Sequence, residues 1–149
     1  MLNRQLILER LDMLRNSVNR LNKFRELSEE AFAANPDNYA IAEHHLRRAL
    51  ECVLDIGRHI VVKKGLGRPR DYRSIIEILG QNQVLPPAFA REIVGMAGYR
   101  NRLVHGYAEV TGQEMYRIIT SRLEDFARFA GYILEYLESQ DQSPNQFLI

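Results

Sequence analysis

A chain of 149 residues, 46% hydrophobic and 26% charged, has the size and balance of one globular domain built around a single continuous core. Its formal net charge of +1 excludes the strong overall field of a general nucleic-acid coat, so any anionic partner must be held by a local patch. One cysteine, Cys52, excludes an internal disulfide framework and a cysteine-rich metal site, and its place on an apolar face predicts a buried, inert thiol.

The N-terminus, MLNRQLILERLDMLRN, is amphipathic and interrupted by charge, unlike a signal peptide. No segment has the apolar length that spans a bilayer, so a cytoplasmic protein without membrane contact is expected. Ile7, Leu11, Leu14, Val18 and Leu21 recur at helical spacing and predict a first helix that extends through Leu27 to Phe32. Asn35 then caps a second helix with Pro36 at its first position, where no amide hydrogen is needed. Its stripe runs from Tyr39 through Ala42, Leu46, Ala49, Val53 and Ile56 to Ile60, and it ends near Lys64-Gly65. Glycine and proline make residues 65–70 a loop. Asp71 caps a short helix through Ile75, Ile76 and Leu79, closed by Gly80. Pro86-Pro87 opens a fourth helix with the stripe Phe89, Ile93, Met96 and then Arg100. Thr111-Gly112-Gln113-Glu114 has capping-box spacing. It opens a fifth helix with Met115, Ile119, Leu123, Phe126, Ala130, Ile133 and Leu137 on one face. No alternating β-branched run competes. The expectation is an all-α, up-and-down helical bundle of about five helices, a single domain over residues 1–138 with a polar tail over 139–149.

The end of the fourth helix, YRNRLVHGY over 99–107, carries an unusual density of polar groups. Arg100 continues an apolar stripe, so its guanidinium points toward a core or an interface and needs an anionic partner or a wet cleft. Asn101 and His105 are four apart and share a helix face. Arg100 and His105 are five apart, about 140° around an ideal helix. They converge only if the helix loosens near His105, which Gly106 favours. Histidine accepts and donates protons near neutrality, and arginine holds phosphate and stabilises charge that builds on it. RNA brings its own 2′-hydroxyl nucleophile. These residues therefore suit metal-independent RNA cleavage, with no cofactor or bound metal required. Against that stands a structural reading: histidine complements the dipole at a helix C-terminus, and arginine there pairs with an acid elsewhere. From chemistry alone the structural reading comes first.

The same stretch contains Arg-x-x-x-x-His-x-Tyr and resembles the signature of the HEPN superfamily, specifically the HepT toxins of HepT–MntA toxin–antitoxin pairs. The similarity extends through LDIGRHIVVKKGLGRPRDYRSIIEILGQNQVLPPAFAREIVGMAGYRNRLVHGYAEV. The resemblance implies a HEPN helical bundle and an endoribonuclease in which Arg100 and His105 are catalytic and Asn101 takes the polar position beside the arginine. It implies that Tyr107 is the tyrosine to which an MntA-like minimal nucleotidyltransferase antitoxin transfers AMP, silencing the toxin. It also implies a homodimer whose two motifs face a shared cleft, which accounts for Arg100 on an apolar stripe.

Lys63, Lys64, Arg68, Arg70 and Arg73 form a basic run that is either a solvated loop or, with Arg102, a contact for RNA phosphates or an acidic partner face. His44 and His45 are adjacent and point about 100° apart, which disfavours a shared metal site and suits a solvated or interfacial role. Asp55 and His59 are four apart and are expected to form a hydrogen-bonded pair, with Asp55 beside the cleft as the alternative. Two further functions compete with the ribonuclease toxin: a non-catalytic subunit that presents RNA or a substrate to a nucleotidyltransferase, and a purely structural dimerisation bundle.

Overall fold

The computed structural model describes residues 1–106 and 109–141, and no strand occurs among them. The elements are α1 (Arg4–Asn22), a 3₁₀ turn (Lys23–Glu26), α2 (Glu29–Ala34), α3 (Pro36–Lys63), α4 (Tyr72–Gln81), α5 (Pro87–Ile93), α6 (Met96–His105), α7 (Gly112–Ser121) and α8 (Glu124–Asp141). The all-α expectation holds, but the expected helix number does not, because three of the expected helices are each cut in two.

Each cut is a tight turn that leaves the apolar phase intact. After Asn22 the chain tightens into the 3₁₀ turn, extends at Leu27, and restarts where the Ser28 hydroxyl accepts from the Ala31 amide at 3.0 Å. At Val94-Gly95 the bond from the Gly98 amide to the Gly95 carbonyl, 3.0 Å, spans three residues instead of four. At Arg122-Leu123 the amides of Asp125 and Phe126 do the same, at 3.2 and 3.1 Å. Leu123 and Phe126 stay buried on either side, so periodicity reads straight through the break.

The expected caps are present. Asn35 Oδ1 accepts from the Asp37 amide at 3.0 Å, and Thr111 with Glu114 forms a reciprocal capping box. Asp71 does the same with Ser74. Gly80 does not close its helix; α4 runs to Gln81, and a Cβ on Gly80 would lie 2.6 Å from that of Ala90, so the glycine serves close packing of α4 on α5. Helix α8 passes the expected tail start, with Ser139 Oγ donating to the Tyr136 carbonyl, and reaches Asp141. The rest of the tail, residues 142–149, lies outside the described residues.

α1 runs antiparallel to α3, since Asn3 meets His59, Arg10 meets Asp55 and Ser17 meets His45. α8 runs antiparallel to α1, pinned by Arg4–Asp141 at 2.5 Å and Arg25–Glu124 at 3.0 Å. The core between them contains Ile7, Leu14, Leu46, Ile60, Phe129 and Ile133, all buried. Burying each such side chain contributes roughly 1.5–3 kcal/mol. α4 comes unusually close to α3 because Gly57 has no side chain: a Cβ there would stand 2.7 Å from Ile75 Cγ2. That contact fixes the N-terminal end of α4, which begins with Tyr72.

Candidate active site

Helix α6 carries the motif. It ends at Gly106, whose φ of 68° is the left-handed conformation that glycine adopts most cheaply, and whose amide donates to the Arg102 carbonyl at 3.0 Å. The helix does not loosen at His105. It stays helical through that residue, and the left-handed turn comes one position later. Arg100 and His105 of one chain therefore keep about 140° between them.

Arg100 is half-buried, and its guanidinium carbon stands 4.4 Å from the centroid of the Tyr72 ring. Its Nε is buried and has no hydrogen-bond partner. Tyr72 also carries Arg58, with the guanidinium carbon at 5.5 Å. Asp55 lies near both arginines: burial pushes its carboxyl up, and Arg10, Arg58 and Arg100 pull it down. Its close ion partner is Arg10, at 3.7 Å. Asn101 is half-buried and His105 is exposed at the last turn of α6. Tyr107 lies outside the described residues.

Arg102 is engaged inside the fold. Its Nη1 and Nη2 donate to the two carboxylate oxygens of Glu114 at 3.0 and 2.8 Å, and Nη2 donates also to the Glu109 carbonyl at 2.7 Å. Accepting these hydrogen bonds holds the Glu114 carboxyl below its usual range, and donating them to Glu114 pushes the Arg102 guanidinium up. This tells against a role for Arg102 as a cation offered to RNA. Lys63, Lys64, Arg68, Arg70 and Arg73 are exposed around the α3–α4 loop, and of these Arg73 alone has an ion pair among the described residues, with Glu77 at 3.6 Å.

Asp55 and His59 do not pair with each other. Asp55 turns to Arg10, while His59 Nε2 accepts from the Asn3 amide at 2.9 Å, so both are spent on α1. Burial and Lys63 push the His59 imidazole down. His44 and His45 meet edge to face at 4.9 Å, with His44 exposed and His45 Nδ1 3.4 Å from the buried Ser17 hydroxyl. Cys52 is buried as expected, its thiol pushed up to about 11 by desolvation. Among the described residues no three His, Cys, Asp or Glu side chains gather as a metal site, and no helix is long and apolar enough to cross a membrane.

Sequence reasoning missed Tyr72 and Arg58. Tyr72 follows the cap Asp71, but nothing local marks its ring as a seat for arginines from two other helices.

The family model described as ribonuclease HepT-like matches residues 14–133. The chain belongs to the ribonuclease HepT-like family. A curated relative of this HepT-like chain, the tRNA nuclease HepT of Aphanizomenon flos-aquae, is 29% identical over 129 residues, 86% of this chain and 87% of that one. The mRNA nuclease HepT of Shewanella oneidensis is 32% identical over 89 residues, 60% of this chain and 67% of that one. Among solved structures, the tri-AMPylated Shewanella oneidensis HEPN toxin in complex with MNT antitoxin superposes with a TM-score of 0.80 at 24% identity, covering 91% of this chain and 99% of that chain. That likeness establishes that the HepT-like chain has the HEPN toxin's fold.

Proposed function

We propose that this chain is the ribonuclease toxin of a toxin–antitoxin pair, acting in the cytoplasm as a homodimer. The observation that carries the reading is Arg100, a half-buried guanidinium on the neutral face of Tyr72 with no carboxylate within ion-pair distance among the described residues. A cation held in that way in the middle of α6, five residues before the exposed His105, is suited to receiving a phosphate. The family and its two nuclease relatives support the same reading.

The reaction is attack of the ribose 2′-oxygen on the adjacent phosphorus. A new P–O2′ bond forms, the P–O5′ bond breaks, and the products are a 2′,3′-cyclic phosphate and a 5′-hydroxyl. His105 takes the 2′-hydroxyl proton or supplies one to the leaving 5′-oxygen. Arg100 stabilises the charge on the phosphorane oxygens, and Asn101 orients the same phosphate. Within one chain Arg100 and His105 diverge around α6, which a dimer resolves: two apposed α6 ends gather both copies' arginines and histidines in one cleft. Helix α6 suits such a face, since it buries only Ala97 fully and exposes Val104 beside His105. Lys63, Lys64, Arg68, Arg70 and Arg73 supply a local positive patch for RNA that the net charge of +1 does not.

The silencing partner is a minimal nucleotidyltransferase antitoxin. The Tyr107 oxygen attacks the α-phosphorus of ATP, pyrophosphate leaves, and the tyrosine carries AMP two residues past His105. The new phosphate then competes with substrate for Arg100. Mass spectrometry of the chain co-expressed with the adjacent nucleotidyltransferase is expected to find AMP on Tyr107; a neutralised pair with unmodified Tyr107 overturns this arm.

The nuclease is tested by expressing the wild type and His105→Ala without antitoxin. Growth arrest by the wild type only, with RNA ends carrying 2′,3′-cyclic phosphate, is expected. Equal growth favours instead a non-catalytic subunit that presents RNA to the nucleotidyltransferase.

A further inference from the structure

Arg58 has no part in the chemistry above, yet it shares the Tyr72 ring with Arg100. The two guanidinium carbons stand 5.5 and 4.4 Å from the same centroid. Neither arginine has an ion pair within 4.0 Å among the described residues, although Asp55 lies close enough to feel both. The Asp55 carboxylate is occupied on the α1 side by Arg10 at 3.7 Å. Two like charges thus meet on a neutral ring whose attraction for a cation is modest. Such a pair is most comfortable with anions seated on it.

The ring is not placed there by the arginines. It is the first residue of α4, directly after the Asp71–Ser74 capping box and one turn before Ile75, which packs against Gly57. Gly57 is the neighbour of Arg58, so the contact that clamps α4 onto α3 also sets Tyr72 against Arg58. Past Arg58, a groove of about 420 Å³ between α1 and α3 is lined by Arg10, Asp55, Arg58, His59 and Lys63 together with apolar side chains of both helices. Its cations outnumber its one carboxylate, which suits a polyanionic strand more than a single small anion.

We propose that Tyr72 is a positioning residue that holds Arg58 and Arg100 as a two-phosphate clamp. Arg100 takes the scissile phosphate, and Arg58 takes the neighbouring phosphate of single-stranded RNA as the strand passes into the α1–α3 groove. The assignment rests on the nuclease reading for Arg100, while Arg58 is tested apart from cleavage.

In the full-length His105→Ala background, binding of a fluorescent single-stranded oligoribonucleotide is titrated at several salt concentrations. Arg58→Ala is expected to weaken binding about tenfold, the worth of one charged hydrogen bond. It is also expected to reduce the slope of log K against log salt by about 0.7, one phosphate contact on a single strand. Arg58 is exposed, so this variant leaves the core untouched. Tyr72→Phe keeps the ring and is expected to bind as the parent does. Tyr72→Leu is expected to bind at least as weakly as Arg58→Ala, and adding Arg58→Ala to Tyr72→Leu is expected to weaken binding little further. With His105 restored, the Arg58→Ala defect should fall on KM, whereas Tyr72→Leu should also lower kcat through Arg100. Unchanged affinity and salt slope for Arg58→Ala overturn the clamp, as does a Tyr72→Phe defect equal to that of Tyr72→Leu. Binding that depends on Arg58 in a chain that cuts no RNA leaves the clamp standing and overturns the nuclease reading alone.

Discussion

Arg102 and Glu114 join α6 to α7 by two parallel hydrogen bonds of 3.0 and 2.8 Å. Glu114 Oε1 lies also 3.4 Å from the Thr111 amide, so the carboxylate that caps α7 is the one that anchors α6. The fork geometry of arginine matches a carboxylate at two points, which lysine cannot do. The orientation of Arg100 and His105 thus depends on a residue outside the motif.

Glu114 titrates below its ordinary value in the folded chain because Arg102 bonds to its ionised form. Its contribution is therefore present above the ordinary carboxylate range and is lost as pH falls through the lowered folded value. Glu114→Gln keeps a capping acceptor but not the charge. In urea unfolding it is expected to be less stable than the wild type at pH 7, with the gap closing below about pH 4. A gap independent of pH contradicts the assignment.

Gly57→Ala places a methyl group where Ile75 Cγ2 already stands. Overpacking of this kind costs about 1–3 kcal/mol. The variant is expected to lose that much unfolding free energy, read as a lower urea midpoint at unchanged m-value, and to slow RNA cleavage as well, because Tyr72 moves with α4. A Gly57→Ala protein as stable as the wild type would show that α3 and α4 are farther apart than described.

His59 must be neutral at Nε2 to accept from the Asn3 amide, and burial with Lys63 and the N-terminus holds its titration below the ordinary value. The unfolded chain then binds the proton more readily, so this contribution is complete above about pH 6.5 and fades as pH falls. His45, held down by burial beside Ser17, acts in the same direction. Stability measured between pH 7.5 and 5 is expected to decline, and a His59→Gln variant to decline less steeply. Parallel curves would rule His59 out as a source of the slope.

Cys52 is 2% exposed, and its thiol is pushed up to about 11, so little thiolate exists near neutrality. A maleimide or disulfide reagent at pH 8 is expected to leave it unlabelled in the native chain and to label it fully in urea. Rapid native labelling would mean that α3 opens far more often than its packing implies.

The sequence alone determined what depends on contacts within a turn or two of chain. The caps at Asn35, Asp71 and Thr111, the stripe from Ala42 to Ile60, the buried thiol and the Arg-x-x-x-x-His-x-Tyr spacing are all local, because capping bonds and helical periodicity act over a few residues. The breaks at Asn22, Val94 and Arg122 stayed hidden because each keeps the apolar phase on both sides. The partners of the charged residues were decided only by the tertiary structure. Asp55 and His59 share a face of α3, yet each is drawn across to α1. Arg102, read as a contact for RNA phosphates or an acidic partner face, is bonded to Glu114, whereas Arg58 and Arg100 were left to the ring of Tyr72. A charged side chain takes whichever opposite charge, amide or ring the neighbouring helix presents, and which helix is the neighbour is not a local property of the chain.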